Sequence, residues 1–114
     1  MNRQEEILQS QCTVWFNNNH LQYHKCLFAI TNNSVNKIAG AFATAKGVKS
    51  GVSDLCLICP NGKTLWIEMK TPTGNQDKEQ IIFQKQIEAL NHTYVICRSL
   101  QQFQELILSH FKDV

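Results

Sequence analysis

Two short apolar runs, residues 54–59 and 64–70, flank Pro60-Asn61-Gly62-Lys63, and this unit constrains the fold more than any other part of the chain. Pro-Asn-Gly is a strong turn signal, so the runs are expected to be the strands of one hairpin. Gly51-Val52-Ser53-Asp54 opens the first run, and Ile67-Glu68-Met69-Lys70 closes the second. Strand side chains alternate faces, so Glu68 and Lys70 point one way and Met69 into the opposite layer. In an antiparallel pair, directly opposed residues share a face and their numbers have a constant sum. Asp54 joins the face of Glu68 only if that sum is even, which requires an odd hairpin loop, three or five residues around Asn61-Gly62. A four-residue loop from Pro60 to Lys63 would instead oppose Asp54 to Met69.

The chemistry of that face is specific. Two carboxylates can hold a divalent cation, and a lysine beside them can steady or deprotonate a water. This is how a metal-dependent phosphodiesterase site is commonly built. The net charge of +2 is too small to imply a polyanionic partner by itself. Its distribution says more: no acidic residue lies between Glu6 and Asp54, whereas Lys25, Lys37, Lys46 and Lys49 all fall there. A basic half leading into an acidic site suits nucleic acid. Scattered lysines on a solvated helix face are the plainer alternative.

At 114 residues the chain is expected to form one domain, residues 1–114. Five cysteines make an odd number, with no disulfide framework, and no signal peptide or long apolar run is evident, so a reduced, cytoplasmic setting without a membrane is expected. Cys56 and Cys59 form a CxxC, but an offset of three in a strand sends the thiols to opposite faces, and no second CxxC completes a zinc site. Both read as small core hydrophobes. His20 and His24 have helical metal spacing, with Cys26 as the one further ligand nearby.

Along the chain, residues 4–17 read as an amphipathic helix with a stripe of Glu5, Leu8, Cys12 and Trp15, ended by Asn17-Asn18-Asn19. Cys26 to Ile30 reads as a strand, followed by Asn32-Asn33. Ser34 caps a second helix reaching Lys46, with Gly47 at the left-handed position beyond it. The alanines of that helix (Ala39, Ala41, Ala43, Ala45), with Gly40, are expected to pack close to a sheet. After the hairpin, Thr71 to Gln76 is a loop, and Lys70-Thr71-Pro72-Thr73-Gly74 is expected to be mobile and to close over a bound partner. Asp77 caps a third helix to about Leu90, Thr93 to Cys97 is a strand, and Ser99 caps a last helix. The order is α-β-α-β-β-α-β-α, an α/β fold with a mixed sheet flanked by helices.

These residues resemble the VRR-NUC family of small phage and bacterial domains, within the PD-(D/E)XK nuclease superfamily. The resemblance rests on an early helical glutamate with Gln9, on Leu27-Phe28-Ala29-Ile30, and on Lys46-Gly47-Val48-Lys49-Ser50-Gly51-Val52-Ser53-Asp54-Leu55. It continues through Trp66-Ile67-Glu68-Met69-Lys70-Thr71-Pro72, Glu79-Gln80 and Tyr94-Val95-Ile96-Cys97-Arg98-Ser99. Ser53 stands where the family usually has proline, a change that bears on rigidity rather than chemistry.

The resemblance implies a restriction-endonuclease-like sheet and a Mg²⁺- or Mn²⁺-dependent DNA endonuclease acting on structured or branched DNA, working as a homodimer. A Holliday-junction resolvase and a catalytically inactive nucleic-acid-binding module of the same fold are the alternatives; a zinc-binding regulator is more distant. Asp54 and Glu68 would be metal ligands, joined by the Met69 carbonyl, and Lys70 would orient the attacking water. Glu5 is the expected helix glutamate, completing the acidic site or binding a second metal, with Glu6 about 100° around the helix. Gln80 would reach the site from the third helix, yet Asp77-Lys78-Glu79-Gln80 also reads as a capping box, two roles that compete for one amide. Lys46, Lys49 and Ser50 would touch the phosphate backbone, with Gly47 and Gly51 letting their loop lie close to it. Trp66 shares the Glu68 face and would pack beneath the site or stack on a base.

Overall fold

A computed structural model describes residues 1–31 and 37–112, excepting the side chains of 37–39. The Asn32-Asn33 turn and the Ser34 cap lie outside the described residues. The element order is α1 (Arg3–Asn19), β1 (Leu27–Ala29), α2 (Lys37–Ala45), β2 (Leu55–Ile58), β3 (Thr64–Met69), α3 (Lys78–Ala89), β4 (Thr93–Cys97) and α4 (Leu100–Phe111). The sheet runs β1-β2-β3-β4, antiparallel across the first two pairs and parallel between β3 and β4. A parallel pair needs a crossover, and α3 supplies it.

The hairpin register settles the parity question. Leu55 faces Ile67, Cys56 faces Trp66 and Ile58 faces Thr64, an even sum that leaves a five-residue loop, Cys59 to Lys63. Continued one step, the register sets Asp54 opposite Glu68. The Ile30 amide donates to the Asp54 carbonyl at 2.9 Å, carrying the β1–β2 ladder up to the aspartate.

Alternation divides the sheet into two faces. Leu55, Leu57, Leu65, Ile67 and Met69 point to one side and pack with Cys12 and Phe16 of α1 and Phe103, Ile107 and Phe111 of α4. Each such buried side chain contributes about 1.5–3 kcal/mol, so this layer supplies most of the apolar driving force. Trp66 and Tyr94 point to the other side, where Phe83 of α3 meets both edge-on at 5.9 and 6.2 Å. Trp66 is therefore a packing residue. Cys56 and Cys59 are buried free thiols, as expected of small core residues.

Helix ends follow their chemistry. Ser99 accepts the Gln102 amide at 3.1 Å to start α4. At the end of α2, Gly47 has φ +103°, the Val48 amide donates to Ala43 and the Gly47 amide to Thr44, the paired bonds of a Schellman motif. Three expectations are corrected. First, α1 continues through all three asparagines and stops at His20, where a 3₁₀ segment, Leu21–Cys26, intervenes before β1. Second, the described residues of α2 make at most glancing contact with the sheet: Ala41 and Ala45 are exposed and Phe42 is 67 % exposed. Third, the Thr71–Gly74 segment is pinned, because Arg98 Nη1 donates to the carbonyls of Thr71 at 2.7 Å and Gly74 at 2.8 Å. Among the described residues, no helix is long and apolar enough to cross a membrane.

Candidate active site

Asp54, Glu68, Lys70, Glu5, Gln80 and Ser50 line one cleft of about 800 Å³ between the start of α1, the segment before β2 and the ends of β3 and α3. Asp54 stands just before the first paired residue of β2, and its Oδ2 accepts the Met69 amide at 2.7 Å. A strand residue directs its N–H and C=O to the same neighbour, so the Met69 carbonyl is also on the Asp54 side. Ser53 is fully buried, and its hydroxyl donates to the Leu55 carbonyl at 3.3 Å. That bond stiffens the strand entry in a way proline could not.

Glu68 is 2 % exposed and hydrogen-bonded on both oxygens. Gln80 Nε2 donates to Oε2 at 2.7 Å and the Tyr94 hydroxyl to Oε1 at 3.4 Å. Lys70, itself 7 % exposed, brings Nζ to 3.9 Å from Oε2. The Asp54 and Glu68 carboxyls lie within hydrogen-bonding reach of each other. Burial first, then the charge and hydrogen bond of Asp54, push Glu68 up to about 8, against the pull of Lys70 and Tyr94. Burial also raises Asp54, opposed by the Met69 amide. Burial, then the Glu68 charge, pushes the Tyr94 phenol up, which keeps its hydroxyl a donor.

Glu5 is 8 % exposed, and its charge contributes to raising Asp54, whereas Glu6 is exposed. Glu5 also closes a capping box: Asn2 Oδ1 accepts the Glu5 amide at 2.9 Å, and Glu5 Oε1 accepts the Asn2 amide at 3.3 Å. Gln80 likewise does two things, contrary to the expectation that one amide would have to choose. Its Oε1 accepts the Asp77 amide at 2.9 Å while Nε2 faces Glu68. The two ends of an amide have opposite polarity, so a cap and a carboxylate can each use one.

Lys46 and Lys49 are exposed and do not line the cleft; of the expected phosphate-contacting residues, Ser50 does. The reason for Gly51 differs from the expected one. With φ +81° it lies against the Glu79 backbone, where a Cβ would collide with the carbonyl. Its role is to seat the Asp54 approach on α3. His20 stacks on Phe16 at 5.2 Å and lies 5.4 Å from Phe111, so it packs at the end of α1. Tyr94 and Gln76 were missed as neighbours of Glu68. Their chemistry is ordinary: the β3–β4 register brings Tyr94 near, and Gln76 reaches its hydroxyl from the segment before α3.

Among the described residues, no three His, Cys, Asp or Glu side chains converge as a metal-binding set. The donors at hand are two facing carboxylates and one peptide carbonyl. That set fits Mg²⁺ or Mn²⁺, hard ions that keep several waters, and it does not fit zinc. The raised carboxylates point the same way: a second positive charge beyond Lys70 would relieve them.

Comparison with known proteins agrees with this fold. The VRR-NUC domain model matches residues 2–101. A solved structure described as "VRR_NUC domain protein" superposes with a TM-score of 0.76 at 17 % identity, covering 98 % of this chain and 91 % of that one. Another, described as "VRR_NUC domain", gives 0.61 at 18 % identity, covering 94 % and 96 %. Among curated proteins, none matches significantly.

Proposed function

Since the chain belongs to the VRR-NUC domain family, a nuclease-type fold, we propose that it is a Mg²⁺- or Mn²⁺-dependent DNA endonuclease of the PD-(D/E)XK kind, acting on structured or branched DNA. The observation that carries this reading is the mutually facing pair of half-buried Asp54 and buried Glu68, with Lys70 alongside. Two carboxylates with raised proton affinity are costly to the fold and make sense where a cation binds.

Asp54 and Glu68, with the Met69 carbonyl, would hold the ion. When bound, it would polarise a phosphoryl oxygen and lower the pKa of a water. Glu5 would add negative charge on the open side of the site, oriented by its bonds with Asn2. Lys70 orients the attacking water and offsets charge developing at phosphorus. Gln80 keeps Glu68 turned toward Asp54. Ser50 meets the substrate backbone in the cleft, and Lys46 and Lys49 meet phosphates farther out. A homodimer would present two such sites to two strands, and a cytoplasmic setting suits the free thiols.

The test is incubation with linear, flap and four-way-junction DNA in Mn²⁺ or EDTA. Cleavage of flap or junction DNA that EDTA stops supports the reading. Binding without cleavage in Mn²⁺ would favour an inactive nucleic-acid-binding module, and symmetric resolution of the four-way junction a resolvase.

A further inference from the structure

Glu68 ends in a soft torsion. The terminal sp³–sp² bond of a glutamate has broad, roughly two-fold preferences, so packing alone does not set the plane of its carboxylate. Hydrogen bonds to both oxygens do. Gln80 supplies one of them, and Tyr94, from the neighbouring parallel strand, supplies the other.

With Glu68 ionised, as it would be when holding a cation, the direction of the second bond is fixed. A phenol has one hydrogen, and of its two polar neighbours Gln76 Nε2 donates, at 3.2 Å, while Glu68 accepts. The other hydrogen of that amide goes to Gln84 Oε1 at 2.9 Å. Gln84 in turn donates to Glu88 at 3.3 Å. Gln76 is therefore the common donor: one of its hydrogens leads through Gln84 to Glu88 on the outer face of α3, and the other leads through the phenol to the Glu68 carboxylate. Tyr94 is 8 % exposed, and Phe83 meets its ring edge-on. The ring's place is thus set by packing, and the hydroxyl is free for a separate task.

We propose that Tyr94 is a positioning residue: its hydroxyl, oriented by Gln76, fixes the rotation of the Glu68 carboxylate so that a lone pair stays aimed, with Asp54, at the cation. This rests on the reading of Asp54 and Glu68 as cation ligands. Gln76 directly precedes the Asp77 cap, so the segment between β3 and α3 is coupled to ligand orientation.

The experiment compares full-length wild type, Asp54→Ala, Tyr94→Phe, Gln76→Ala and the Tyr94→Phe/Gln76→Ala pair. Mn²⁺ binding is followed by electron paramagnetic resonance, melting in EDTA, and kcat and KM on a cleavable DNA. Partners of metal ligands typically contribute about 10- to 100-fold to affinity or activity. Tyr94→Phe should weaken Mn²⁺ binding about tenfold and lower kcat with little change in KM. Gln76→Ala should act in the same direction, and the pair should equal Tyr94→Phe alone, because Gln76 works through the phenol. A Tyr94→Phe protein that binds Mn²⁺ and turns over like wild type overturns the proposal and leaves the site intact. So does full additivity in the pair. Should Tyr94→Phe unfold in EDTA, Gln76→Ala alone decides: unchanged Mn²⁺ affinity overturns the coupling. Wild type binding Mn²⁺ no better than Asp54→Ala removes the site assignment, and this proposal with it.

Discussion

Replacing Glu68 by glutamine should stabilise the metal-free protein. Glu68 has an ordinary value of 4.5 in the unfolded chain and about 8 when folded. Below 4.5 it is neutral in both states and costs nothing. As pH rises from there towards about 8, the unfolded chain releases its proton while the folded chain keeps it, so stability falls across that window and levels off above it. At pH 7 the loss has a ceiling of about 3 kcal/mol. Glutamine removes the charge and keeps an acceptor for Gln80, but its amide meets the Tyr94 hydroxyl and Lys70 less well, which costs roughly 1 kcal/mol per weakened bond. The expected net gain is about 1–2 kcal/mol, or roughly 4–8 °C in Tm for a chain of this size. Melting in EDTA from pH 5 to pH 8.5 is the assay. The variant should be the less stable of the two at pH 5, draw level at about pH 6 and lead by a margin that widens with pH. Mn²⁺ should raise wild-type Tm and leave the variant unmoved. A variant less stable than wild type at pH 8, or a gap independent of pH, would refute the argument that the carboxylate pair is strained without a cation.

Asp54→Ala should abolish both cleavage and Mn²⁺ binding while circular dichroism stays native. Lys70→Ala should keep Mn²⁺ binding and lose turnover; loss of metal in a folded Lys70→Ala would contradict a role confined to the water. Gly51→Ala combines a left-handed backbone with a collision against Glu79, and should cost about 2–4 kcal/mol in urea unfolding and much of the activity. Lys46→Ala with Lys49→Ala should weaken DNA binding and flatten its salt dependence by roughly one phosphate contact per lysine, with an unchanged slope placing both away from the duplex.

What could be read from the chain was what local chemistry determines. The hairpin parity followed from alternation and a turn signal, and Asp77, Ser99 and Gly47 marked helix ends because capping is decided within a few residues. The neighbours of Glu68 on β4 were another matter. A parallel pair is aligned by the crossover helix and the packing beneath it, so nothing near Tyr94 announces that it lies beside Trp66 and two residue pairs from Glu68. The same holds for Gly51: its positive φ fits any turn, and the carbonyl it must avoid belongs to a helix far along the chain. For α2, small apolar residues promised a close approach that its described residues do not make. Composition states that a helix face is able to pack, not that a partner surface within the same chain is there to meet it.

The double use of Gln80 narrows the set of amino acids that position 80 can hold. Glutamate is the common alternative at the third residue of a capping box, and it would keep the bond to the Asp77 amide. It would also set a third carboxylate against Glu68, where an N–H donor now stands. Asparagine has the right polarity at both ends but is a methylene short. Lysine and arginine donate but cannot accept. A substitution at position 80 of this chain therefore meets two independent demands, and a change that spares the helix will still be felt at the carboxylates.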